Sequence, residues 1–87
     1  PNENTSTATQ IARLRAAAAL IPAIEADLAN SKLSTDRAAL MSEFCQWAYD
    51  SCSSACEESQ RLSKQISDGL TRLKQRLSKL ISQAKLN

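Results

Sequence analysis

The chain carries almost nothing with which to reverse direction. Its 87 residues include one glycine, Gly69, and two prolines, Pro1 and Pro22, whereas turns in compact folds draw heavily on both residue types. Ala, Leu, Ser, Gln, Lys and Arg dominate instead, a composition that on balance favours helix. Apolar residues recur at the three- and four-residue spacing of a helical face, as expected if that preference is realised. The fold class that follows is all-α. At this length, one thin layer of packed helices is as much core as the apolar residues can build.

Residues 1–6, PNENTS, are polar and patternless and are expected to form a disordered tail ahead of a single helical domain over 7–87. Thr7-Ala8-Thr9-Gln10 fits a capping box, with the Thr hydroxyl accepting from the third helical N–H and the Gln side chain reaching back. Ile11, Leu14, Ala18, Ile21, Ile24 and Leu28 then define one face of a first helix over about 7–30, made slim by Ala16 to Ala19. Pro22 removes a backbone donor and disfavours α geometry at Ile21, so a bend is expected there. Asn30 suits a left-handed stop, the segment Asn30 to Thr35 reads as a loop, and Ser34 or Thr35 can cap a second helix whose first turn holds Asp36.

From Ala38 onward an apolar stripe runs almost to the C-terminus. In heptad terms, Cys45, Cys52, Ile66, Leu73 and Leu80 take one core position and Tyr49, Cys56, Leu70, Leu77 and Ala84 the other, with Ser59 and Ser63 weakening the middle. Two architectures fit. One is a helical hairpin with a long, coiled-coil-like C-terminal helix over 35–86. The other is a three-helix bundle, in which the serines of 51–54 break that helix and Ser54-Ala55-Cys56-Glu57 caps a third. The absence of Gly, Pro or Asn in the segment favours the continuous helix. That choice leaves Ile66, Leu70, Leu73, Leu77, Leu80 and Ile81 without an intrachain partner. Burying one Leu is worth about 1.5–3 kcal/mol, so a second copy or a partner helix is expected to cover them.

Charge is divided unevenly along the chain. Residues 1–60 hold four cations against eight acids, a net of −4, whereas residues 61–87 hold seven cations against Asp68 alone, a net of +6. The cations surround the Leu seam, unlike a bZIP basic region, which precedes its zipper. Either the two halves neutralise each other or the basic end awaits an acidic partner.

The three aromatics, Phe44, Trp47 and Tyr49, fall within six positions and are expected at the centre of the core. There the apolar face of Leu40, Met41, Phe44, Trp47 and Ala48 would pack on the first helix. The alternative is an exposed aromatic anchor for a partner. Cys45, Cys52 and Cys56 would share one helical face as reduced apolar residues. A zinc site would lack a fourth ligand in a chain without His, and neighbours one helical turn apart do not meet disulfide geometry.

Catalysis is not expected: there is no His for acid–base work, no Gly-rich phosphate loop, and no Ser or Cys with a base beside it. No stretch approaches the roughly 18 apolar residues of a membrane span. A chain starting at Pro1, as removal of an initiator Met would leave it, is expected to be cytoplasmic, with no cofactor, metal or small-molecule ligand. The function expected is non-enzymatic helix–helix association with a protein partner or with itself as a homo-oligomer. Ile66, Leu70, Leu73, Leu77 and Leu80 would form the apolar contact, and Arg72, Arg76 and Lys79 would set orientation. The alternative is sequence-nonspecific binding of nucleic acid phosphates by the same basic helix.

Overall fold

A computed structural model describes residues 5–86 of the chain, so most of the expected N-terminal tail lies outside the described residues. Three helices pack against one another: α1 (Thr7–Ala29), α2 (Thr35–Asp50) and α3 (Glu57–Leu86). The fold is therefore the three-helix bundle, and the favoured continuous helix over 35–86 is not what forms. Among the described residues, no helix is long and apolar enough to cross a membrane.

Helix α1 starts one residue earlier than its sequence signature suggests. Ser6 is the N-cap, its Oγ accepting from the Thr9 N–H at 3.2 Å. Pro22 lies inside the helix, which continues through it to Ala29. The helix ends in a Schellman arrangement: the Ser31 N–H donates to the Leu28 carbonyl at 3.2 Å and the Lys32 N–H to the Asp27 carbonyl at 2.8 Å. The left-handed residue is Ser31, with φ 57°, and not Asn30, with φ −97°. Ser34 caps α2 as expected, its Oγ accepting from the Arg37 N–H at 3.2 Å.

The break between α2 and α3 is built without Gly, Pro or Asn. Gln10, almost wholly buried in the first turn of α1, supplies what the loop lacks. Its Oε1 accepts from the backbone N–H groups of Ser53 at 2.9 Å and Ser54 at 3.1 Å, while its Nε2 donates to the Thr5 carbonyl and the Ser53 Oγ, both at 3.1 Å. Those two N–H groups are thereby satisfied without a continued helix. Serine hydroxyls complete the seal: Ser51 Oγ donates to the Trp47 carbonyl, and buried Ser59 donates to the Ser54 carbonyl at 3.0 Å. Gln10 thus staples two elements and does not close the capping box read from its spacing.

The core combines Leu14, Ala17, Ala18, Ile21, Ile24 and Leu28 of α1, Ala38, Cys45 and Ala48 of α2, and Leu62, Ile66, Leu70 and Leu73 of α3. Alanines let the helices approach closely, and Gly69 marks the tightest point. A Cβ there would lie 2.8 Å from Ile21 Cγ2 and 3.0 Å from its Cδ1. Two ion pairs join α1 and α3, Arg15 to Glu58 at 2.6 Å and Arg72 to Glu25 at 3.0 Å. Their residue numbers rise together along both helices, so α3 runs parallel to α1 and antiparallel to α2. At 1.5 Å per residue, the 30 residues of α3 span about 45 Å against about 35 Å for the 23 of α1. The end of α3 therefore outruns the bundle.

Candidate interaction surface

The partner surface expected on α3 divides into a buried half and a free half. Ile66, Leu70 and Leu73 are buried in the core, where α1 and α2 cover them, so they cannot face a partner. Their assignment to a contact surface followed from the continuous helix, which left them uncovered. The hairpin at 51–56 returns α3 alongside α1 and removes that need. Leu77 and Leu80 are half-buried against the edge of the core. Beyond them the apolar stripe emerges into solvent, with Ile81 46 % and Leu86 86 % exposed.

The cations divide at nearly the same point. Arg61 lies 3.9 Å from Glu58, Lys64 pairs with Asp68 at 3.1 Å, and Arg72 makes a two-nitrogen contact with Glu25 at 3.0 and 3.3 Å. That contact raises the pKa of the Arg72 guanidinium, mainly through its hydrogen bond to Glu25. Arg72 is therefore committed within the chain. Lys74, Arg76, Lys79 and Lys85 are exposed, and among the described residues none has a carboxylate within salt-bridge distance. No acid occurs after Asp68. The charge asymmetry is thus partly neutralised inside the bundle, and what remains is concentrated on the free end of α3.

The aromatic face of α2 departs from expectation in the opposite direction. Met41 and Ala48 turn inward, but Leu40 is 65 %, Phe44 38 % and Trp47 48 % exposed. Spaced at i, i+4 and i+7, these three form one outward row. The Phe44 and Trp47 rings stand 5.9 Å apart at 41°, and the Arg13 guanidinium of α1 lies 4.6 Å from the Trp47 centroid. This places Arg13 in cation–π range and fixes the indole against the bundle surface without burying it. Asp36, Glu43 and Asp50 follow one another at seven-residue intervals, each three or four positions from Leu40 or Trp47, and so form an acidic row beside the apolar one. None of the three makes an ion pair among the described residues.

The cysteines are separated by the helix break, contrary to the shared face expected of them. All three are free thiols. Cys45 is buried on α2 with its Sγ 3.7 Å from the Ala17 carbonyl, and burial pushes its thiol pKa up. Cys52 lies in the hairpin, and Cys56 directly precedes α3 with its side chain in solvent. The Ser54 hydroxyl donates to Cys56 Sγ at 3.4 Å, and the Ser59 hydroxyl lies at the same distance. Led by the Ser54 bond, these contacts hold the Cys56 thiol down to about 7. Among the described residues, no three His, Cys, Asp or Glu side chains converge as metal ligands would.

Among the described residues, two surfaces have unmet interaction capacity, the basic, apolar-seamed end of α3 and the aromatic, acid-edged face of α2. No protein-family model matches the chain, and no curated protein or solved structure is similar to it at a level that carries an argument.

Proposed function

We propose that the chain is a non-enzymatic interaction module that acts by helix–helix association through the free end of α3. Leu77, Leu80 and Ile81 supply the apolar contact, and Arg76, Lys79 and Lys85 set orientation. The observation that carries this reading is the change in α3 after Leu73. Up to that point the stripe is buried and the cations are paired, whereas afterwards the stripe is half-buried at Leu77 and Leu80 and wet from Ile81 on, and the cations have no carboxylate among the described residues. A partner that buries Ile81 while offering carboxylates to Arg76 and Lys79 satisfies both deficits, so an acidic amphipathic helix is the matching chemistry.

The same cations could instead meet nucleic acid phosphates without base readout, since α3 presents four of them and no aromatic ring for stacking. Titration distinguishes the two. A synthetic Glu-rich helix with Leu at its heptad core positions should bind the chain saturably, and Ile81→Asp with Lys79→Glu should abolish that binding without loss of helicity. If the peptide fails to bind at low salt while a generic DNA duplex binds with steep salt dependence, phosphate binding replaces helix association. If neither ligand binds, the free end of α3 is only a solvated terminus.

A further inference from the structure

The helix break places two of the three thiols where a continuous helix would not. Spaced C-x3-C, Cys52 and Cys56 would stand one turn apart on a single helix, with side chains that do not meet disulfide geometry. In the bundle, α2 ends at Asp50 and α3 begins at Glu57, so both cysteines lie in the segment between them and that restriction is lifted. Both sulfurs contact the same residue. The Cys52 thiol donates to the Ser54 carbonyl at 3.8 Å, and the Ser54 hydroxyl donates to Cys56 Sγ at 3.4 Å. Ser59 joins the two ends of Ser54, its Oγ lying 3.0 Å from the carbonyl oxygen, 3.1 Å from the hydroxyl and 3.4 Å from Cys56 Sγ. Both thiols are open to solvent. Cys56 is exposed, and half-buried Cys52 lines the groove between α2 and α3 together with Ser54, Gln60 and Ser63. Cys45, the third, is buried against the Ala17 carbonyl.

We propose that Cys52 and Cys56 are a redox pair that hydrogen peroxide converts to an intramolecular disulfide, Cys56 reacting first and Cys52 completing the bond. The roles follow from the hydrogen bonds. The Ser54 hydroxyl donates to Cys56, which stabilises a thiolate there and holds its pKa at about 7, whereas Cys52 donates its own proton to a carbonyl. The Cys56 thiolate attacks one peroxide oxygen. The S–O bond forms as the O–O bond breaks, leaving a sulfenic acid on Cys56 and a hydroxide that takes up a proton to become water. Cys52 then attacks the Cys56 sulfur, the S–S bond forms, and the sulfenic oxygen departs with the Cys52 proton as a second water. Two thiols are thus oxidised by two electrons, and one peroxide is reduced to two waters. Closing the bond moves only the segment between the helices, because neither cysteine is inside α2 or α3. The pair sits at the opposite end of α3 from the association surface and works independently of it.

Oxidation of the reduced full chain with stoichiometric hydrogen peroxide near neutral pH, followed by mass spectrometry, tests the pair. Cleavage after Asp and Glu releases Ser51–Glu57, which holds both cysteines, apart from Phe44–Asp50, which holds Cys45. Ser51–Glu57 should become two hydrogens lighter and resist alkylation, dithiothreitol should restore both thiols, and no disulfide should link two chains. Cys52→Ser should stop the reaction at the sulfenic acid, trapped on Cys56 by dimedone. Cys56→Ser should slow peroxide consumption roughly tenfold, because Cys52 donates its proton to a carbonyl and is the poorer nucleophile. Circular dichroism checks that both variants keep wild-type helicity, and the wild-type mapping decides alone if one does not. A disulfide joining Phe44–Asp50 to Ser51–Glu57, a disulfide-linked dimer, or Cys56 carrying oxygen beside a free Cys52 in the wild type would each overturn the pairing. So would thiols that peroxide leaves unchanged, or a Cys52→Ser variant that yields no trapped sulfenic acid.

Discussion

Replacing Gln10 with alanine removes the one side chain that makes the α2–α3 break self-sufficient. The buried amide accepts two backbone N–H groups of the loop, at 2.9 and 3.1 Å, and donates twice more, to the Thr5 carbonyl and the Ser53 hydroxyl. A typical intramolecular hydrogen bond contributes about 0.5–1.5 kcal/mol net. Ser53 is exposed, so water recovers much of what its side of the network loses, and the two backbone bonds then dominate. Together they give a loss of about 1–3 kcal/mol. In a domain of this size each kcal/mol moves the midpoint by about 4–8 °C, so Gln10→Ala should lower Tm by about 5–20 °C. Gln10→Glu keeps an acceptor for both loop N–H groups but sets a carboxylate against the Thr5 carbonyl, and it should fall between wild type and Ala. Thermal and urea unfolding followed by circular dichroism measure both. A loss below about 0.5 kcal/mol for Gln10→Ala would show that the hairpin holds without its staple.

Three further outcomes follow from the packing and the thiols. Leu73→Ala should cost about 2–5 kcal/mol, because Leu73 is fully buried, whereas Ile81→Ala on the same stripe should cost less than about 1 kcal/mol; equal losses in urea unfolding would contradict the division of α3. Gly69→Ala gains about 1 kcal/mol in helix propensity but forces Cβ to within 2.8 Å of Ile21, where overpacking costs about 1–3 kcal/mol, so the net should be destabilising, and a more stable variant would refute the close approach. Iodoacetamide should modify Cys56 with a pH profile whose midpoint is about 7, the reactive thiolate accumulating above that value, while Cys45 should resist until the bundle unfolds. Peptide mapping assigns each site. A Cys56 profile with the midpoint of an ordinary thiol would contradict the Ser54 and Ser59 contacts.

The parts of the fold legible in the sequence are those decided locally. Helix periodicity and the scarcity of Gly and Pro fixed the all-α class, and Ser34 announced the start of α2 because an N-cap is a contact three residues long. The break at 51–56 was legible only as the less favoured of two readings, because the group that satisfies its N–H donors belongs to Gln10, 43 and 44 positions away. The break in turn sets whether Ile66, Leu70 and Leu73 are core or surface. The outward turn of Phe44 and Trp47 has a similar origin. The second helix is apolar over too wide an arc for its neighbours to cover. Close packing at Ala17, Ala38, Cys45 and Ala48 drew in the small side chains and left the large ones outside. Of the expected contact residues, Arg76 and Lys79 remain exposed and Leu77 and Leu80 lie at the boundary, whereas Arg72 is held by Glu25.

The most direct measurement of association through the free end of α3 is amide chemical-shift mapping of the isotope-labelled chain during titration with the acidic, Leu-seamed helix. Association at that surface predicts saturable shifts concentrated at residues 76–86 and little change at the core positions Leu62 to Leu73. Shifts confined to other parts of the bundle, or none at saturating peptide and low salt, would contradict it.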